Sequence, residues 1–156
     1  MKYALLLLTL FVLLCQSEAR YYEVEGSVTH VVDGDTFDLH VDHGDSRVTP
    51  DEIVRIRLDD VDAPETRGPK ACQAGRDATA YARPWLLNNK VFLDLDDKTG
   101  KDQFGRWVAV VYLTDSDGSL NISRNFNRML VDSGHAVIKD FKDNEFDPWS
   151  WWNPPV

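Results

Sequence analysis

The chain has 156 residues, with 26 Asp and Glu against 17 Lys and Arg, a net charge of −9, and two cysteines. That balance excludes a globally basic nucleic-acid binder, so any affinity for a polyanion must come from locally clustered cations. The length suits one domain with one core, and so few cysteines exclude a disulfide-stapled scaffold.

Lys2 precedes an apolar run from Ala4 to Leu14, and Ser17 and Ala19 supply small residues at the −3 and −1 positions of a signal-peptidase site. The run is too short to span a bilayer, so no stable membrane anchor is expected. Residues 1–19 read as a cleaved secretory signal and 20–156 as a single domain, which implies a secreted, extracellular protein, or a cell-envelope one if the signal is not cleaved. Cys15 leaves with the signal, and Cys72 is expected to be a small, partly buried helix residue.

"YYEVEGSVTHVV" reads as a first strand, with Gly26 at a bulge or bend. In "TFDLHV", Phe37, Leu39 and Val41 share one face; in "EIVRIRL", Val54, Ile56 and Leu58 oppose Arg55 and Arg57. A helix is predicted in "CQAGRDATAYARPWLL", where Ala74, Ala78, Tyr81, Trp85 and Leu86 recur at helical spacing and Pro84 marks an early end or a kink. "KVFLDLD" and the almost continuously apolar "RWVAVVYL" read as two more strands, the second fully buried. "NISRNFNRMLVDSG" reads as a second helix, with Ile122, Phe126, Met129 and Leu130 on one stripe and Gly134 as its cap. The tail "DPWSWWNPPV" holds three of the five tryptophans and is expected to fold back as a plug on the core. Short strands with few helices suggest a small closed barrel of the OB kind, an α+β and mainly β fold.

Two acidic segments carry the candidate chemistry. "VVDGDTF" places Asp35 on the core-facing side of a strand, where an ionised carboxylate is tolerable only at the strand's open end. "DDVDAPETR" packs Asp59, Asp60, Asp62 and Glu65 into one short run after the strand of Arg55 and Arg57. If the two strands are neighbours, Asp35 and Asp62 converge on one mouth and either raise each other's pKa or recruit a hard cation such as Ca²⁺. The histidines and the cysteine show no zinc-ligand spacing, and no EF-hand loop is present. Arg57 and Arg106 add guanidiniums suited to phosphate oxygens, and Glu65, set apart by Pro64, can accept a proton from water. Solvated acidic loops neutralised by surface arginines are the bland alternative.

"VVDGDTF", "RIRLDDVDAPETR" and "DQFGRWVAVVY", in this order, resemble the staphylococcal nuclease family from about residue 24 to 152. The resemblance implies a five-stranded OB-type barrel with two helices and a Ca²⁺-dependent phosphodiesterase. The expected substrate is single-stranded or locally opened DNA and RNA, cut by in-line water attack to leave 3′-phosphate ends. By motif position, Asp35, Asp62 and the carbonyl of Ala63 resemble the ligands of one Ca²⁺, and Thr36 a neighbour of the metal site. Glu65 resembles the general base, and Arg57 and Arg106 the phosphate-clamping pair.

Ala63 replaces a Thr of the family pattern, Phe104 a Tyr, and Asp140 and Lys142 a pair of pocket tyrosines; the family's long C-terminal helix is expected to be missing. Arg67, Lys70, Lys98, Lys101, Lys139 and Lys142 are expected to form a local positive rim. The rival readings are a catalytically silent OB-type module that binds nucleic acid or protein, and an extracellular carbohydrate binder using Trp149, Trp151 and Trp152. A monomer is expected.

Overall fold

Alternation of apolar side chains builds the barrel. A computed structural model describes residues 21–152; the expected signal segment lies outside the described residues. Strands β1 (Val24–Val31), β2 (Thr36–His43) and β3 (Ile53–Leu58) form an antiparallel meander. After the two-residue strand β4 (Val61–Asp62) and helix α1 (Gln73–Leu86), strands β5 (Lys90–Leu95), β6 (Trp107–Thr114) and β7 (Leu120–Asn125) follow. Helix α2 (Phe126–Asp132) and the short strand β8 (Val137–Ile138) complete the order, and β8 pairs with β4.

β5 pairs with β1 and β6, and β6 runs parallel to β3, so β1, β2, β3, β6 and β5 close into a five-stranded barrel. Closure removes the free edges that an open five-stranded sheet would present. Phe37, Leu39, Val41, Ile56, Leu58, Val91, Leu93, Leu95, Ala109 and Val111 fill its interior, all buried. At Gly26 the β1–β2 register shifts, and a Cβ there would stand 2.2 Å from the His40 carbonyl oxygen. This is the bend expected of that glycine.

Several local expectations are corrected. The second helix starts later than its apolar stripe implied: residues 120–125 are β7, which pairs with β6 and leaves Ile122 49% exposed. The reason is a cap, since the Asn125 side chain accepts the Arg128 N–H at 3.0 Å and starts α2 at Phe126. Gly134, with φ 76°, ends that helix as expected. In α1, Pro84 sits inside the last turn without ending it, and Asn89 Nδ2 donates to the carbonyls of Pro84 and Trp85 (3.1 and 3.0 Å). Cys72 is exposed as the residue preceding α1, not partly buried within it.

The aromatic tail meets the expected plug only in part: Trp151 packs half-buried against the core, while Trp149 and Trp152 do not fill it. Trp149 is 63% exposed, and Trp152 donates Nε1–H to Asp132 Oδ1 at 2.9 Å on the flank of α2. Arg128 there bonds the Trp151 carbonyl at 3.1 Å. Beyond β8 the described residues contain only a 3-10 turn, Pro148–Trp152. Among the described residues no helix is long and apolar enough to cross a membrane.

Asn127 ties the helical layer to the barrel. Fully buried, it accepts the Val111 N–H (3.0 Å) and donates to the carbonyls of Asp59 (2.9 Å) and Ala109 (3.2 Å). Asn127→Leu would strand the Val111 N–H and the Asp59 carbonyl, the Ala109 carbonyl keeping the Asp59 N–H (2.8 Å), and is expected to destabilise the fold by about 2–3 kcal/mol, read as a lowered urea midpoint.

Candidate active site

The turn before β2 is stitched by its own backbone: Val32 and Asp33 N–H groups donate to the Thr36 carbonyl (2.9 and 3.2 Å), and the Asp35 N–H donates to Asp33 Oδ1 (3.2 Å). Two glycines let α1 press on the site. A Cβ at Gly34 would lie 2.8 Å from Ala78 Cβ and 2.9 Å from Ala63 Cβ; one at Gly75 would lie 2.2 Å from the Glu65 carbonyl oxygen. The helix thus braces both acidic loops through contacts that only small residues permit.

Thr36 pairs with Arg57 across β2 and β3, which brings Asp35 to the mouth that Arg57 lines. A cavity of about 510 Å³ opens there, and all six expected site residues line it: Asp35, Arg57, Asp62, Ala63, Glu65 and Arg106. Arg57, only 6% exposed, places Nη2 at 3.3 Å from both Asp35 Oδ2 and Asp62 Oδ1 and donates Nη1–H to the Leu58 carbonyl at 2.6 Å. Asp35 further accepts the Thr36 hydroxyl (3.0 Å) and the Ala63 N–H (2.7 Å). Burial nevertheless pushes the Asp35 carboxyl up to about 6, against the opposing pull of Arg57. Lys139 Nζ lies 3.3 Å from Asp62 Oδ1.

Across the mouth, Asp102 holds Arg106 by two contacts of 2.7 Å, and Arg106 Nη1 reaches the Thr36 hydroxyl at 3.3 Å. Each arginine is faced by a phenylalanine: Phe141 lies 5.4 Å from Arg57 and Phe104 5.2 Å from Arg106. The exposed Glu65 carboxylate makes no hydrogen bond or ion pair among the described residues. The donors available to a cation are all oxygens, from Asp35, Asp62 and backbone, and a buried carboxylate reluctant to ionise is offset by a hard divalent ion. The residues present therefore fit Ca²⁺. No group of three or more His, Cys, Asp or Glu among the described residues is arranged as a metal site, so a two-carboxylate set relies on backbone and water for the remainder.

The sequence pattern described as "Staphylococcal nuclease homologue" matches residues 55–148, more than half of the chain. The chain belongs to the staphylococcal nuclease family. It is 33% identical over 128 residues to "Protein ParB" of Escherichia coli, covering 81% of this chain and 63% of that one. It is 33% identical over 120 residues to a thermonuclease of Staphylococcus intermedius (76% and 61%) and 29% identical over 130 residues to a micrococcal nuclease of Shigella flexneri (80% and 64%). The chain spans about three-fifths of the length of these curated relatives.

Within this staphylococcal nuclease-family fold the crowded acidic run divides in two. Asp62 and Glu65 line the mouth, whereas Asp59 and Asp60 turn inward and are fully buried with Asp96. Asn144 Nδ2 lies 3.1 Å from both Asp59 carboxylate oxygens and 2.7 Å from Asp60 Oδ1. The Phe141 N–H donates to Asp60 Oδ1 at 2.6 Å, and the Lys139 N–H to the Asp60 carbonyl at 2.9 Å. Asp60 holds this position with φ 53°, a left-handed backbone that Asp tolerates better than most residues. The inward pair therefore fastens the segment that carries Lys139 and Phe141 into the cavity wall.

Sequence reasoning missed Asp102, Phe141 and Asn144. The four-residue spacing of Asp102 and Arg106 was visible, but only the tertiary pairing with Asp59 could reveal Asn144. The expected positive rim is smaller than predicted: Lys139 and Lys142 line the mouth, while Lys98 bonds the Asn144 carbonyl (2.8 Å) and Lys101 lies 4.6 Å from the Trp107 ring centre. Asp140 does not line the cavity, and Lys142 does.

Burial, with Asp60 and Asp96 nearby, pushes Asp59 up to about 7. A carboxyl raised on folding stabilises the native state below its unfolded pKa, and that contribution is lost as pH rises through about 7. The Asp59 contribution to the unfolding free energy is expected to fall from about pH 4 to about pH 7 and to level off above. In Asp59→Asn the fall in unfolding free energy over that range should be smaller by on the order of 1–2 kcal/mol, measured by urea titration at each pH.

Proposed function

We propose that the chain is a secreted, Ca²⁺-dependent phosphodiesterase that cleaves single-stranded or locally opened DNA and RNA and acts as a monomer. One observation carries this reading: Glu65 stands unpaired in a mouth that also holds two guanidiniums, each already oriented by carboxylates. A silent binding module has no use for a free carboxylate beside two phosphate-binding arginines, because it would repel the phosphate they attract. The names of the thermonuclease and micrococcal nuclease relatives support the same class of chemistry.

In this mechanism Arg57 and Arg106 hold the non-bridging oxygens of the scissile phosphate. Their pairing with Asp35, Asp62 and Asp102 fixes the forks before substrate arrives, so little reorganisation is needed as charge builds at phosphorus. Asp35, Asp62 and the Ala63 carbonyl would hold Ca²⁺, which when bound polarises a phosphoryl oxygen and orients water. Glu65 accepts the proton of the attacking water as its oxygen bonds to phosphorus; the P–O5′ bond breaks in line, the 5′-oxygen leaves and takes a proton from solvent as a 5′-hydroxyl, and a 3′-phosphate remains. Phe104, 72% exposed, has no hydroxyl to offer a phosphate, so it contributes only its ring.

The mature protein is expected to cut single-stranded DNA with Ca²⁺ and not with chelator, the new 3′ ends refusing polymerase extension until a phosphatase removes the 3′-phosphate. Arg57→Ala, Arg106→Ala and Glu65→Gln should each lower kcat by about 10²–10⁴-fold. Full activity in Glu65→Gln would remove that residue from the base role. N-terminal sequencing of protein recovered from the medium should begin at Arg20.

A further inference from the structure

Beside the mouth, across the segment Pro64–Arg67, lies a second depression of about 370 Å³. Arg67, Arg76 and Arg83 line it together with Thr66 and Thr79, and no carboxylate does. Arg76, Thr79 and Arg83 follow one another at three-to-four spacing on α1, so the helix presents them on one face. All three arginines are exposed.

Their lack of partners is the informative fact. Arg47, Arg55, Arg57, Arg106 and Arg128 each have a carboxylate within 4.0 Å, whereas Arg67, Arg76 and Arg83 have none among the described residues. Arg124 also lacks a carboxylate, but it stands apart, bonded to the Thr114 carbonyl beside the Trp85 ring; in a chain with 26 acids to 17 bases, three neighbouring arginines without a carboxylate leave a place for counter-charge from outside. Arg76 is also oriented in advance: its Nε and Nη2 donate to Gln73 Oε1 (2.9 and 2.8 Å), and Gln73 Nε2 is fixed on Asp77 Oδ1 at 2.7 Å.

The position selects the anion. Pro64 and Glu65 line the catalytic mouth, and the next two residues, Thr66 and Arg67, line the depression. A strand leaving the mouth over Glu65 meets the arginine face directly. Sugar-phosphate backbone supplies regularly spaced negative charge with no base requirement, which suits guanidiniums and hydroxyls in a shallow, open depression.

We propose that Arg67, Arg76 and Arg83 form a subsite for backbone phosphates of the substrate strand flanking the cleaved bond. The proposal rests on the nuclease reading for its substrate, and binding is measurable without cleavage. Labelled single-stranded oligonucleotide in chelator should bind Arg76→Ala/Arg83→Ala at least ten-fold more weakly than wild type. The slope of log affinity against log salt should become shallower by about 0.7 for each arginine removed.

With Ca²⁺, the double variant should raise KM for a twelve-nucleotide strand with little change in kcat, and the loss should shrink steadily as the strand is shortened toward a dinucleotide. An unaltered urea midpoint would show that the variant is folded. Wild-type affinity and salt slope in the double variant would overturn the subsite even if the protein cleaves DNA. Arginine-dependent binding without cleavage would sustain the subsite and overturn the nuclease reading. Loss of poly-glutamate binding in the variant, with oligonucleotide binding intact, would overturn the subsite in favour of an acidic protein partner.

Discussion

One buried guanidinium organises the mouth of this barrel. Arg57 leaves β3 beside the end of β2 and is shared between Asp35 and Asp62, with Phe141 closing over its face. Burying a charge this deeply is unfavourable unless it is paired, and removing either carboxylate leaves the cation with a single partner. The same constraint brings together the loop before β2, the loop after β4 and the segment after β8. Geometry at the mouth is therefore a consequence of electrostatic necessity in the wall, not of loop flexibility.

The four acids of residues 59–65 show how one run can serve two purposes. Asp59 and Asp60 face inward and fasten the returning chain through Asn144 and the backbone of Lys139 and Phe141. Asp62 and Glu65 face the cavity. The pressure for charge neutralisation is met differently on the two sides: by proton uptake and amide donors inside, by arginine, lysine and the proposed Ca²⁺ outside.

The net charge of −9 no longer conflicts with a polyanionic substrate once the location of charge is known. Among the described arginines, Arg47, Arg55 and Arg128 are held in ion pairs away from the mouth, and the lysines of the turn before β6 are tied to Asn144 and Trp107. The cations left for a ligand are concentrated at the mouth and on one face of α1. The proposed affinity for backbone phosphates would depend on that local arrangement and not on the sum over the chain.

Alternation in β2, β3 and β5, the helical spacing of α1 and the three linked motifs made the barrel and the set Asp35, Arg57, Asp62, Glu65 and Arg106 legible from sequence. They are legible because strand parity and turn chemistry are local properties. The start of α2 was misjudged because a single side chain, Asn125, decided between continuing a strand and opening a helix. The inward turn of Asp59 and Asp60, the fastening role of Asn144 and the unpaired state of the α1 arginines were decided only by the tertiary structure. Each depends on a partner, present or absent, many residues away, and burial and pairing across such distances leave no periodic trace in the chain.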